Sequence, residues 1–139
     1  MRVVLDTNVL VSATFWSGAS FKIMEFIDNG KIDLVLSKAI LEEYDKVIHS
    51  DEILEKVDTL TQFAIAAIVQ KIILKAKLVE PKVKLNIIKD DLDDNKIIEA
   101  AVEGQAYFII SQDHHLTDLI SYDNIQILKP EDFLKLLKK

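Results

Sequence analysis

The chain opens MRVVLDTN, an apolar run over residues 3–5 that stops on Asp6, with Thr7 and Asn8 beside it. A buried strand ending abruptly in an acid narrows the choice of fold, because open α/β sheets place ligands and chemistry at the carboxyl ends of their strands. Taken alone, Asp6 has an ordinary use as the cap of a helix over 9–12. Three further acids, Glu43, Asp94 and Asp113, fall where later elements begin or end. Whether the four carboxylates meet decides what the chain can do.

The remaining elements alternate. Residues 21–28 are apolar at 21, 23, 24, 26 and 27, a helical spacing that Asn29-Gly30 stops. Residues 33–36 form a second strand. Ser37 caps a helix to about Ile48, with Ile40, Leu41, Tyr44, Val47 and Ile48 on one face. Residues 52–77 predict one or two longer helices with a break near 58–61. Residues 78–79 make a short third strand before Pro81, and 82–91 are irregular. Asp94 or Asn95 opens a helix through Glu103, which Gly104 ends. Residues 107–110 and 126–128 are the fourth and fifth strands, and Pro130 starts a terminal helix over 131–137. Strands separated by helices predict one α/β domain over residues 1–139. Its central, mostly parallel five-stranded sheet is covered by helices on both faces, giving three layers.

Composition limits the partners. Half of the 139 residues are hydrophobic, with three glycines and two prolines, which suits one ordered domain. Absence of cysteine excludes disulfides and thiolate metal sites. The densest apolar segment, 63–69, is interrupted by Gln70 and Lys71 and falls short of the ~18–20 residues of a membrane span. With no signal-peptide pattern either, the expectation is a cytoplasmic protein without membrane attachment. A net charge of −6, with Arg2 as the one arginine, disfavours non-specific binding to nucleic acid unless cations or a partner supply positive charge. Lys22, Lys38, Lys46 and Lys96 are candidate phosphate contacts, or else solvated surface.

The acids carry the sharper expectation. Each has an ordinary reading: Asp6 and Asp94 as helix caps, Glu43 as a solvated helix position, Asp113 as a turn residue. Glu43 is preferred over Glu42 because helical spacing sets it beside Ile40 and Val47. Within Asp90-Asp91-Leu92-Asp93-Asp94, at least two acids are exposed charges. Jointly the ordinary readings weaken. Two like charges ~4 Å apart repel by about 4 kcal/mol at an effective dielectric near ~20, so four gathered carboxylates demand a cation. Magnesium and manganese favour such oxygen ligands.

Four segments, VVLDTNVLVSA at 3–13, LSKAILEEYDKVI at 36–48, DLDDNKIIEAA at 91–101 and YFIISQDHHL at 107–116, carry a family resemblance along essentially the whole chain. In order and spacing they resemble PIN domains, most of all the VapC-like toxins of toxin–antitoxin systems. The resemblance implies a Rossmann-like sheet and an Mg²⁺- or Mn²⁺-dependent ribonuclease acting on single-stranded RNA. It maps the metal-binding and catalytic acids onto Asp6, Glu43, Asp94 and Asp113. Asn8 and Ser111 match polar positions that orient ligands, and Asp91 matches an accessory acid. An antitoxin protein and a homodimer are the implied partners. The segment Ser111-Gln112-Asp113-His114-His115 departs from the family pattern, with His115 in the place of an additional acid. The two histidines could bind metal or phosphate, but a surface turn with one ring packed is the preferred reading. That departure and the acidic surface keep a second reading open, a catalytically weak PIN-like module that binds RNA or protein. A phosphoacceptor domain is disfavoured, since Thr7-Asn8 follows Asp6 where a second acid is needed. The apolar segment 63–74 is either a central buried helix or an exposed flank for a second copy or an antitoxin helix.

Overall fold

The computed structural model describes residues 1–15 and 18–138, with the backbone alone at 60 and 61. Its first strand, β1 (Arg2–Leu5), lies inside a six-stranded sheet with β2 (Asp33–Ser37), β3 (Lys77–Val79), β4 (Phe108–Ile110), β5 (Ser121–Tyr122) and β6 (Ile125–Leu128). The order is β3-β2-β1-β4-β6-β5. Val4 is in parallel register with Val35 on one side and Ile109 on the other. The chain therefore builds outward from β1 through β2 to β3, then returns to lay β4 against the opposite edge of β1. Such a reversal opens a crevice at the carboxyl ends of the two strands. Val3, Val4 and Leu5, like Leu34, Val35 and Leu36, are 0% exposed, as strands covered on both faces must be.

The sheet has one strand more than the five expected. The addition, β5, is two residues long and runs antiparallel to β6, Tyr122 facing Ile125. Two residues are too few to display a period of two. The hairpin is instead made by its turn, where Asp123 adopts φ 51°, a left-handed conformation that aspartate tolerates.

The helices are α1 (Thr7–Phe15), α2 (Ala19–Asp28), α3 (Lys38–Ile48), α4 (Asp51–Leu54), α5 (Thr59–Lys75), α6 (Asn95–Glu103), α7 (His114–Thr117) and α8 (Pro130–Leu137). Ser37 caps α3 as expected, its Oγ accepting from the Ile40 N–H at 3.3 Å. Ile40, Tyr44 and Ile48 are buried along α3, and the Tyr44 hydroxyl meets Thr14 Oγ1 of α1 at 2.5 Å. The expected break near 58–61 falls between α4 and α5. A single turn such as α7 is too short for periodicity to reveal.

Segment 63–74 lies within α5, which docks along a narrow stripe. Ile65 and Ile72, seven residues apart, are 3% and 1% exposed, whereas Phe63 and Leu74 are each 77% exposed. Lys71 Nζ, 2.8 Å from Asp28 Oδ2, ties the helix to α2. The segment is not a central buried helix. Among the described residues, no helix is long and apolar enough to cross a membrane.

Helix α6 packs across β1, β2 and β4 and organises the irregular segment before it. Positions 95, 99 and 103 are four apart and share one face. Glu103 Oε1 accepts from the Lys82 N–H at 3.0 Å, and Glu99 Oε2 accepts from Leu85 N–H at 2.7 Å. Asn95, 3% exposed, accepts from Ile87 and Ile88 N–H and donates to the Ile88 and Leu92 carbonyls. A ladder of side chains thus holds the backbone of residues 82–92, which joins no strand of the sheet.

Gly104 ends α6, but for a reason other than left-handed backbone. Its own φ is −84°, and Gln105 takes the positive φ of 53°. A Cβ at 104 would stand 2.4 Å from Val35 Cγ1 in the centre of β2. Valine is stiff at χ1 and this one is fully buried, so it has little room to give. Gly104→Ala is predicted to destabilise the domain by about 1–3 kcal/mol through overpacking. Urea denaturation checks this. A midpoint equal to that of the wild type would show that α6 and β2 can separate at no cost.

Candidate metal centre

Asp6 is 5% exposed at the carboxyl end of β1. Its N–H donates to the Ile110 carbonyl at 3.0 Å, extending the β1–β4 ladder, and its carbonyl accepts from Leu10 N–H as α1 begins. Asp6 therefore does stand at the head of a helix. Its carboxylate, however, reaches across the sheet, with Oδ2 accepting from Ser111 Oγ at 2.7 Å. The same fully buried hydroxyl accepts from the Asp113 N–H at 2.9 Å. One serine joins the ends of the two strands.

Asp113 Oδ1 accepts from the His115 N–H at 2.9 Å and caps α7, so its turn reading is also satisfied. Asp91 Oδ1 accepts from Asp93 N–H at 3.2 Å, capping the 3₁₀ turn Leu92–Asp94. Asp94 behaves differently. It precedes α6 yet makes no side-chain capping bond, and its Oδ2 is sealed from solvent without a partner. Capping cannot account for it. Donor atoms of Asp91, Asp94, Asp113 and His115 all lie within 4.8 Å of one another. Asp90 and Asp93, between and beside these acids in sequence, are exposed.

Electrostatics follow from this crowding. Burial pushes the Asp94 carboxyl up to about 7, aided by the charge of Asp113, a hydrogen bond with it, and the charges of Asp91 and Asp6. Burial also raises Asp6, with Asp113 and Glu43 adding to the effect while hydrogen bonds from Ser111 and Thr7 oppose it. Glu43 moves the other way. Burial would raise it, but the hydrogen bond and charge of Lys96, together with Thr7 and Lys46, hold it below the usual carboxylate range. Lys96 Nζ makes an ion pair with Glu43 Oε2, the two side chains 19% and 35% exposed. Glu43 thus borders the cluster through Asp6 but carries its own cation.

Of the four candidate lysines, Lys96 alone makes a salt bridge to one of the proposed acids. Lys46 acts on Glu43 by charge, Lys38 pairs with Glu42 at 3.7 Å, and Lys22 is exposed on α2. Asn8 is exposed in the first turn of α1, and no hydrogen bond among the described residues joins it to an acid. Its neighbour Thr7, 1% exposed, is the side chain that faces Glu43. Thr7 and Asn95 are the residues at this centre that sequence reasoning passed over as participants. Asn95 had a signal, being an amide directly after Asp94 at a helix start. Thr7 had none.

A family profile described as PIN domain matches residues 2–115. The chain belongs to the PIN domain family. Two solved structures share the fold of this PIN domain. PAE2754 from Pyrobaculum aerophilum superposes with a TM-score of 0.67 at 14% identity, covering 100% of this chain and 91% of that one. VapBC2 from Rickettsia felis, solved bound to a DNA fragment from their promoter, gives a TM-score of 0.58 at 14% identity, covering 91% and 97% respectively. No curated protein matches significantly.

PIN domains are generally nucleases and typically use divalent metal ions. The residues present fit such an ion. An unpartnered buried carboxylate oxygen costs about 1–3 kcal/mol or more, a cost a cation removes. The raised Asp94 pKa makes this measurable. Because its folded pKa lies above the ordinary aspartate value of 3.8, the folded protein without metal holds an extra proton between that value and about 7. The group's contribution to stability is complete below that window and is lost as pH rises through it. The chelated wild type is therefore predicted to lose stability relative to Asp94→Asn as pH rises across the window, and added Mn²⁺ or Mg²⁺ to raise the neutral-pH melting temperature of the wild type more than that of the variant. Parallel pH profiles for the two proteins would remove Asp94 from the centre.

Proposed function

We propose that this PIN domain is an Mg²⁺- or Mn²⁺-dependent ribonuclease that hydrolyses phosphodiester bonds in single-stranded RNA, as the toxin of a toxin–antitoxin pair. The observation that carries the reading is the buried Asp94 carboxylate, whose Oδ2 makes no hydrogen bond, gathered with Asp91 and Asp113 next to Asp6 at the switch point of the sheet. Asp6, Asp94 and Asp113 would hold the ion, with Asp91 accessory. When bound, a divalent ion lowers the pKa of water and offsets phosphate charge. Ser111 keeps Asp6 and Asp113 in register, orienting both. Glu43, kept ionised by Lys96, is placed to bind metal or to accept a proton from the attacking water.

A net charge of −6 is no bar if the substrate meets local cations. A cleft of about 340 Å³ is lined by Ser37, Lys38, Lys84 and Lys96, with Glu80 and Glu99 also at its wall. Lys96 belongs both to this cleft and to the Glu43 pair, so a phosphate approaching along the cleft arrives beside the acids. VapBC2 from Rickettsia felis supports the toxin assignment through its fold. The exposed flank of α5, with Phe63 and Leu74, supports a homodimer, leaving an antitoxin to engage the remaining surface.

The alternative, a PIN-like module that binds without cutting, is favoured by one observation: Glu43 is engaged by Lys96. Cleavage assays on single-stranded RNA discriminate. Wild type with Mn²⁺ or Mg²⁺ should cut, and Asp6→Asn should lose about 100-fold or more, the scale of removing a key transition-state charge contact. Cutting that survives EDTA, or equal activity in the variant, would refute the enzyme. RNA binding without metal-dependent cutting would select the module. For the dimer, the double change Phe63→Glu, Leu74→Glu is expected to halve the mass measured by light scattering. A monomeric wild type at micromolar concentration argues against it.

A further inference from the structure

His114 and His115 are adjacent on α7 but serve different surroundings. Their rings lie 4.2 Å apart at 46°, and their Nδ1 atoms have different carboxylate neighbours. The His114 side chain is 74% exposed, with Nδ1 3.6 Å from Asp118 Oδ2 at the surface. That of His115 is 28% exposed, and its Nδ1 is turned inward, 3.2 Å from Asp113 Oδ1 and 3.7 Å from Asp94 Oδ2. Yet Nδ1 makes no hydrogen bond and is sealed from solvent, and Asp94 Oδ2 is in the same condition. The pair is a surface turn with one ring packed, as expected: His114 is the exposed ring and His115 the packed one.

An imidazole nitrogen and a carboxylate oxygen facing each other 3.7 Å apart are too distant for a hydrogen bond. They are close enough to share an ion, since ligand bonds of about 2.0–2.2 Å set two donors up to ~4 Å apart. Asp91 completes the group within the same 4.8 Å, whereas Asp6 is not part of it. Asp94 and Asp113 each have a second oxygen, so both can serve this group and the Asp6 side together. The two unpartnered atoms come from different elements, the 3₁₀ turn Leu92–Asp94 and α7, and lie 3.7 Å apart.

We propose that His115 Nδ1 is a direct ligand in a second cation position formed with Asp91, Asp94 and Asp113, and that this position takes a first-row transition ion in preference to Mg²⁺. The inference rests on the metal-dependent reading above and deepens it. Mg²⁺ favours an all-oxygen shell, whereas imidazole suits the first-row transition ions. A single nitrogen in an otherwise carboxylate set therefore tilts the choice of metal at this position and leaves the Asp6 side all-oxygen.

Pulsed EPR of the full-length protein loaded with Mn²⁺ tests this without reference to activity. The wild type should show a directly coordinated nitrogen, retained in His114→Ala and lost in His115→Asp. Mn²⁺ titration should give a Kd at least about tenfold weaker in His115→Ala, which removes the ligand without supplying another, no less than the loss of an outer-shell partner costs, with Mg²⁺ affinity maintained. Bound Mn²⁺ without nitrogen coupling in the wild type overturns the His115 proposal and leaves the acidic centre standing. No bound Mn²⁺ at all overturns both. Nitrogen coupling that persists in His115→Asp also overturns it, and because the wild-type spectrum is itself diagnostic, the proposal does not depend on the variant folding.

Discussion

Carboxylates brought to the ends of two adjacent parallel strands repel one another, and much of the surrounding structure holds them in place against that repulsion. At an effective dielectric near ~20 each close pair costs about 4 kcal/mol, a large fraction of a domain's net stability. The β1–β4 ladder sets Asp6 and Asp113 near one another, and Ser111 fixes their approach with one hydroxyl that donates to the first and accepts from the second. Asp94 registers the cost most strongly, its pKa raised first by burial and then by the charges of Asp113, Asp91 and Asp6. Electrostatic cost of this kind is what a cation site stores before its ion arrives.

Helix α6 links this site to the fold. One face packs on β1, β2 and β4, its closest approach allowed by the missing side chain of Gly104 against Val35. Another face carries Asn95, Glu99 and Glu103, which hold residues 82–92 by their backbone groups. Its first turn supplies Lys96 to Glu43, and the residue before it is Asp94. A shift of α6 would therefore move an acid, the lysine and the segment carrying Asp91 together.

Asp6, Asp94 and Asp113 were legible in the sequence because each stands where an apolar run stops or a helix starts, and those boundaries follow from periodicity and capping. The preference for Glu43 over Glu42 also followed from helical spacing. Its partner did not, since Lys96 lies 53 residues away and only the packing of α6 beside α3 joins them. Asn8 and Thr7 show a finer limit. Both are polar residues of one helical turn, and the turn points Thr7 inward and Asn8 to solvent. Composition and spacing treat the two alike.

Local physics in the chain alone was sufficient for the order of strands and helices, the Ser37 cap, the break before α5 and the acids at the ends of elements. Each of these depends on residues within a few positions of one another. The tertiary structure decided that β1 lies between β2 and β4, that β5 adds a sixth strand, that α5 buries Ile65 and Ile72 while exposing Phe63, and that Asp94 Oδ2 faces His115 Nδ1. Those outcomes depend on distances between segments far apart in sequence. Such distances are set by strand order and by the packing of helices on the sheet, for which hydrophobic periodicity carries no address.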